Sequence, residues 1–562
     1  MPRPRLTALA LIVASLLPLP GRADSGQSGA YLAARQASIL NDFAQGAKWY
    51  DRVLQSDPTN PSLLEGAVTS HLALGQIAQA ATSGSALLAD GARNQIAYLA
   101  VVAADAQAGG FAKILQDQAA GNTIGALIDK LIVAWAKVGT GNMTEALTDF
   151  DAIIATQGIG AFGIYHKALA LAASGDFEGA DRLLSGPDAA PAMQLRRAVL
   201  AHAQILSQLE RNPEAVAAID RTFGKRPDAG MAALRARLVA GDLVPFDTAR
   251  NATDGLAEVF FTLATALNDQ ADQTYVLLYV RVAAALRPDH TEAQLMAAGI
   301  LERLDQYQLA IDAFAAVPET DPAYTSARIG QADAAIRLNR VDEAVTTLQA
   351  LATQRPDDIA VHIALGDALR LQDRCDLGIV AYSAAIALVP NPEPGNWPLL
   401  YKRASCENQI GNWPAAEADF RRALALAPDE PRLLNELGYS YVDRGENLTE
   451  ALDMIQRAVA ASPESGYIVD SLAWAYYRLG RYQDAVAPQE KASRLMPVDP
   501  IVTDHLGDIY WQVGRKREAQ FQWRRALSFD PDDTEKPRIQ RKIEVGLDQV
   551  LQEEKAAPAN GN

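Results

Sequence analysis

The chain has 562 residues, a formal net charge of −17, 7% aromatic residues and two cysteines. So acidic a chain repels phosphate backbones and anionic headgroups, which excludes nucleic acid as a natural partner. Two cysteines are too few for a disulfide-built scaffold, and the length suits either several domains or a chain that grows by stacking repeats.

Residues 1–23 read as a secretory signal peptide. Arg3 and Arg5 precede an apolar run from Leu6 to Leu19, Pro18 and Pro20 break it, and Gly21-Arg22-Ala23 offers small residues for a cut after Ala23. The run is short for a membrane span, and no Cys follows it for lipidation. Cleavage would remove three arginines, take the net charge from −17 to −20, and deliver the chain to the periplasm. No later stretch is apolar enough to span a bilayer.

Residues 24–240 read as a degenerate arm of helix pairs. Tyr50 and Pro58, Ala146 and Phe150, Ala180, then Ala215 and Pro227 mark its units, while 94–126 fit poorly. Residues 241–256, GDLVPFDTARNATDGL, carry no helical period and suggest a joint between two arms. Residues 257–533 form a regular array. Its prolines fall at Pro288, Pro322, Pro356, Pro390, Pro428, Pro463, Pro497 and Pro531, in steps of 34, 34, 34, 38, 35, 34 and 34. Apolar residues recur at three and four, not two, so the expected fold is all-α. Residues 534–553 suggest a charged helix capping the last repeat, and 554–562 a disordered tail.

Chemistry is hard to find in this pattern. None of the six histidines stands three or four residues from another His or a Cys, and no phosphate loop, dinucleotide fingerprint or nucleophile elbow occurs. His505, flanked by Asp504 and Asp508, reads as a solvated helix turn. No catalytic residue, metal site or cofactor is expected. Cys375 and Cys406 fit either a disulfide or two buried thiols.

The repeat instead points to a groove. In stacked helix pairs the first helices line the concave wall, and repeat positions 5, 9, 12 and 13 look into it. Those positions, with Tyr401 from the preceding unit, hold Asn435, Tyr439, Asp443, Asp470, Trp474, Tyr477, Arg478, Asp504, Asp508 and Trp511. Rings alternating with Asn and Asp suit a partner-binding surface. Tyr476 and Trp523 fall on the core stripe.

The period, with Leu506-Gly507, Tyr510, Ala519, Trp523, Ala526 and Pro531 in the last unit, resembles the tetratricopeptide repeat. That resemblance implies a right-handed superhelix of antiparallel helix pairs binding proteins or peptides in its groove. Residues 432–531, from LNELGYSYVDRGENLTEALDMIQRAV through DSLAWAYYRLGRYQDA to DHLGDIYWQVGRKREAQFQWRRALSFDPD, further resemble long proteobacterial periplasmic repeat proteins. Their best-understood type is an adaptor for a carboxyl-terminal processing protease that delivers cell-wall hydrolases for degradation, which would make those proteins the partners. Two other readings are a scaffold of an envelope export or polysaccharide-secretion machine, and a carbohydrate-binding module stacking sugars on Trp474, Tyr477 and Trp511.

Overall fold

The computed structural model describes residues 25–89, 91–224 and 227–556. The signal segment 1–23 and most of the expected tail lie outside them. Among the described residues there are 31 α-helices, three short 3-10 turns and no strand. The helices alternate as antiparallel pairs, and short polar side chains start many of them. Asn60, Asn94, Asp228 and Asp499 each accept a hydrogen bond from a backbone N–H of the first turn. The tight turn inside a pair needs one residue in the left-handed region. Gly480 and Gly514 supply it at φ 74° and 84°, and Asp305, Asn339 and Asp373 take the same conformation where glycine is missing.

The described residues form two compact units that meet between Thr347 and Leu348 in the chain. In the first, helix pairs run from Ser25–Ile39 and Phe43–Leu54 to Arg196–Gln208 and Asn212–Phe223. The poorly patterned 94–126 region still forms a pair, Gln95–Gln107 and Phe111–Ala119. The stretch suggested as a joint is non-helical over 242–251 and held against helix Arg196–Gln208. Gln208 donates to the Val244 carbonyl (2.7 Å), and the Thr248 hydroxyl donates to Gln204 (2.8 Å). Irregular backbone here is satisfied by side chains of a neighbouring helix, so it is a fixed part of the unit.

The next pair, Ala252–Leu267 and Gln273–Leu286, lies along the first helices of the earlier pairs, on their inner wall. Arg281 donates to the Ala73 carbonyl (2.8 Å), Gln107 to Ala285 (2.8 Å) and Thr253 to Ala106 (3.2 Å). A Cβ on Gly255 would fall 2.3 Å from the buried Trp135 ring, so glycine is what lets the helix come this close. Glu258 on this pair is fully buried. It accepts from Tyr165 (2.8 Å), is ion-paired to Arg197, and lies 3.2 Å from His290. Burial alone would raise the Glu258 pKa, but Arg197 and His290 hold it well below the usual carboxylate range. The first unit thus covers the first helices of residues 61–173 with its own chain, and a cleft of about 760 Å³ remains beside Arg196–Gln208.

The second unit stacks five pairs, from Ile359–Arg370 and Cys375–Ala387 to Pro500–Gln512 and Lys516–Leu527. Small residues let paired helices touch: a Cβ on Gly366 would lie 2.4 Å from Tyr382, and one on Gly507 2.4 Å from Trp523. Leu434, Leu437, Tyr441, Phe420 and Ile455 fill the space between and within units. A disulfide joins Cys375 to Cys406, tying one pair to the next. The capping segment is two helices, Lys536–Val545 and Leu547–Ala556, broken at Gly546 with φ 86°. Ile539 and Leu547 complete the cluster of Leu506, Tyr510 and Trp523.

Candidate functional site

The concave wall of the second unit is built by helices Trp397–Gln409, Pro431–Arg444, Gly466–Arg478 and Pro500–Gln512. The expected groove residues divide into three groups on this wall. Asp443 and Arg478 are exposed; Tyr401, Tyr439, Trp474, Tyr477 and Trp511 are half-buried; Asn435, Asp470, Asp504 and Asp508 are 6% exposed or less.

The burial of the aspartates corrects the expectation of an open polar wall. The capping helix covers the last repeat: Lys542, fully buried, reaches Asp504 at 2.5 Å and Asp508 at 2.8 Å. Trp523 Nε1–H donates to Asp508 (2.9 Å). Burial and the neighbouring Asp508 push the Asp504 carboxyl up to about 6 against the opposing pull of Lys542. Trp511 is likewise covered, since the Gly546 turn meets its ring, which packs against Trp523 at 5.3 Å. Asp470 is sequestered by Gln489, which donates to it at 2.5 Å, and by His505 Nδ1 at 3.0 Å.

His505 is therefore not the solvated turn its neighbours suggested; it is 8% exposed and bonded to the preceding repeat. Burial alone would lower its pKa, yet the carboxylates of Asp470, Asp504 and Asp508 together outweigh burial and raise it above the ordinary value.

Trp474 answers to both neighbours. Its ring stacks on Tyr477 at 4.6 Å and 8°, and on His505 at 3.9 Å and 14°. Two parallel rings this near the indole centre would collide on one face, so they cover opposite faces. The indole offers the groove its edge and no stacking surface. Tyr477 packs in turn on Tyr482 at 5.4 Å, and burial raises its phenol pKa. Tyr401 rests on Trp397 and Phe420, both at 6.0 Å. Burial pushes the Tyr439 phenol up to about 12, with Asp470 and Asp443 acting in the same sense.

Between the repeats and the cap lies a pocket of about 420 Å³. Tyr439, Trp474, His505 and Asp504 line it on one side, and Pro531, Glu535 and Arg538 on the other. Arg478 donates to the Asp443 carbonyl at 3.0 Å, and Arg538 to Glu554 at 2.7 Å. Sequence reasoning missed Lys542, Arg538, Gln489 and Glu436. A signal for Lys542 was present: it stands three residues after Ile539 and beside Ile543, on the apolar stripe of its helix.

Family models for the tetratricopeptide repeat match residues 303–368 and 397–530. These units are tetratricopeptide repeats. The TPR repeat-containing protein PA4667 of Pseudomonas aeruginosa is 32% identical over 201 residues, 35% of this chain. The match spans 33% of that relative's length. Among solved structures, the APC/C hetero-tetramer Cut9–Hcn1 is similar at 15% identity, with 93% of this chain and 97% of that chain covered and a TM-score of 0.38. Yeast Tom70 follows at 12% identity, with 95% and 98% covered and a TM-score of 0.35. YrrB, described as a TPR protein with an unusual peptide-binding site, shares 15% identity over 34% of this chain and 97% of its own, with a TM-score of 0.28. The tetratricopeptide pairs of 397–530 are thus the ones that carry the pocket. Among the described residues no helix is long and apolar enough to cross a membrane, and no cluster of His, Cys, Asp or Glu is arranged to hold a metal.

Proposed function

We propose that this chain is a periplasmic adaptor that holds a segment of a partner protein on the concave face of its second unit. One observation carries the reading. The first unit's own helices 252–286 cover the first helices of its pairs between residues 61 and 173, whereas the second unit keeps half-buried rings and a pocket of about 420 Å³ along the first helices of its repeats. Solenoids use such concave walls to bind proteins. Tyr439 and Tyr401 supply large amphipathic surface of the kind that anchors interfaces. The apolar run after Arg3 and Arg5 and the Cys375–Cys406 disulfide support an oxidising envelope compartment. The resemblance of residues 432–531 to protease adaptors favours a processing protease and cell-wall hydrolases as partners.

Of the other readings, sugar stacking on Trp474 and Trp511 is disfavoured. Carbohydrate platforms need an open ring face, and both faces of Trp474 are taken.

The test is site-specific photocrosslinking in the native host. A benzophenone side chain replaces Tyr439 or Arg478 in the groove, and Phe521, 65% exposed, serves as the control. Groove-specific adducts containing a processing protease or a cell-wall hydrolase are expected in the periplasmic fraction. Equal crosslinking at Phe521, or no groove adduct, would refute the binding face. Groove adducts made exclusively of membrane-embedded export components would replace the adaptor with an export scaffold.

A further inference from the structure

Helix Pro431–Arg444 carries an asparagine where packing asks for none. Asn435 is 5% exposed, like its buried helix neighbours Leu433, Leu434 and Leu437, yet its amide makes no hydrogen bond among the described residues. Oδ1 is sealed from solvent without a partner, and Nδ2 is the end that reaches the surface. Turning the amide about its last bond exchanges the two, so either a donor or an acceptor can face outwards. An unsatisfied buried amide in mid-helix destabilises the fold, and an apolar side chain of the same shape carries no such cost. The group is therefore informative about what comes to it from outside the chain.

Its surroundings are poor in free charge. Tyr439 lies one turn on, on the same face, half-buried, and its phenol has no hydrogen-bond partner among the described residues. It opens into the pocket of about 420 Å³, whose apolar lining is Pro500, Ile501, Pro531, Ile539 and the Trp474 edge; Ile501 is 49% exposed. The charges of the pocket are answered within the chain. Lys542 and Arg538 face Asp504 and Asp508, Arg478 faces Asp443, and His505 faces Asp470. Asp532 and Glu535 stand in solvent at the rim. Burial raises the pKa of Glu436 beside Asn435, the mark of a wall that disfavours charge. The hydrogen-bonding groups left over next to the pocket are an amide and a phenol.

Their spacing supplies the shape of what they hold. Asn435 and Tyr439 are separated by about 6 Å of helix rise, and two residues of extended backbone span about 6.6 Å. Carbonyls two apart on an extended chain point the same way. One strand lying along the helix therefore presents alternate carbonyls to the amide and the phenol, and the side chain beyond Tyr439 stands at the pocket.

We infer that the groove holds an uncharged, extended segment of its partner by the main chain, with Asn435 and Tyr439 donating to alternate carbonyls and one aliphatic side chain seated in the pocket beside Ile501. The inference rests on the groove being the partner site and adds the chemistry of what enters it.

The test pans a phage-displayed library of random peptides, about 12 residues long, on residues 24–562. Enriched sequences should share a core of about five uncharged residues with an aliphatic one among them. The best is synthesised acetylated and amidated, and its affinity by fluorescence anisotropy should be the same at about 0.05 and 0.5 M salt. Replacing core amides one at a time by esters weakens the carbonyl as an acceptor, and should cost about three- to tenfold at two positions two residues apart. Asn435→Leu should weaken binding by about three- to tenfold while leaving the melting temperature unchanged or higher. Tyr439→Phe, which keeps the ring, should weaken it by a similar factor. Enriched sequences rich in Lys, Arg, Asp or Glu, no enrichment, or a peptide bound equally well by Asn435→Leu would overturn the inference. So would a lower melt of Asn435→Leu, which would make the amide part of the fold. The groove itself is judged separately, by the crosslinks from Tyr439 and Arg478: groove adducts with a charge-rich selection would leave the groove standing and this chemistry refuted.

Discussion

Replacing Lys542 with methionine keeps the length of the side chain and removes its charge. Lys542 is fully buried, 2.5 Å from Asp504 and 2.8 Å from Asp508. Taking one member from such a group leaves buried carboxylates uncompensated, at a cost of about 3–5 kcal/mol. The capping helices are anchored by few apolar side chains, chiefly Ile539, Leu547 and Val550. Each such burial contributes roughly 1.5–3 kcal/mol before chain entropy is subtracted, so the loss rivals the whole docking energy of the cap. The expected result is local: 536–556 undock while the upstream pairs stay folded, since each repeat contacts chiefly its neighbours. The effect depends on pH. In the folded chain Asp504 is raised to about 6 from 3.8, so the native state binds that proton more tightly than the unfolded chain. Stability from this group is therefore greatest in acid and falls as pH rises from about 4 to 6. Without Lys542 the folded value climbs further, so the deficit of Lys542→Met should be largest at neutral and alkaline pH and shrink below about pH 5. Hydrogen exchange of 536–556 with thermal melts at several pH values measures both. A Lys542→Met chain whose cap is as protected as wild type at neutral pH would refute the burial and the pairing. The double change Lys542→Met with Asp504→Asn should recover part of the protection, because it removes one of the stranded charges.

Three further outcomes follow from the same reasoning. Cys375→Ala with Cys406→Ala opens a link between residues 31 apart and should lower stability by roughly 3–4 kcal/mol, read as a lower melt for the second unit and matched by reduction of the wild type. Gly255→Ala pushes a Cβ to 2.3 Å from the Trp135 ring and should destabilise the first unit by roughly 1–3 kcal/mol, read in the full chain as reduced hydrogen-exchange protection of the first unit with that of the second unit unchanged. Asp470 raises the His505 pKa above its ordinary 6.5, so the stability it lends is full below about pH 6.5 and is lost as pH rises through the folded value. Asp470→Asn should flatten that slope in melts between about pH 5.5 and 8.5; an unchanged slope would mean that another group carries it.

The resemblance to tetratricopeptide repeats was legible because a repeat writes its packing rules in every unit. Gly366 and Gly507 stand where paired helices must touch, Tyr382 and Trp523 where a ring must fill the resulting gap, and proline recurs where each second helix ends. The degenerate 94–126 region was harder to read, since small residues and Phe111 replace the usual pattern although the helix pair survives. The site was legible as a set of positions. Position predicted that Tyr439, Asp443 and Arg478 share the wall, and in the structure the three line one pocket. Position did not predict that Asp470 is claimed by His505, or that Tyr477 and His505 cover the two faces of Trp474. Periodicity specifies which way a side chain leaves its helix; it says nothing of what comes from elsewhere to meet it.

The sequence by itself therefore determined the local and nearest-neighbour structure: helix pairs, their turns, their spacing and the stripe that packs one pair on the next. These depend on residues within some 34 positions of one another, the span over which period and turn chemistry act. The tertiary structure alone decided which parts of the inner wall stay open. Helices 252–286 return to cover the first helices of residues 61–173, with Glu258 reaching Arg197 beyond them, and Lys542 closes the last repeat across the turn of 528–535. Those contacts join segments whose patterns do not refer to each other, and shape and charge matched in three dimensions hold them together.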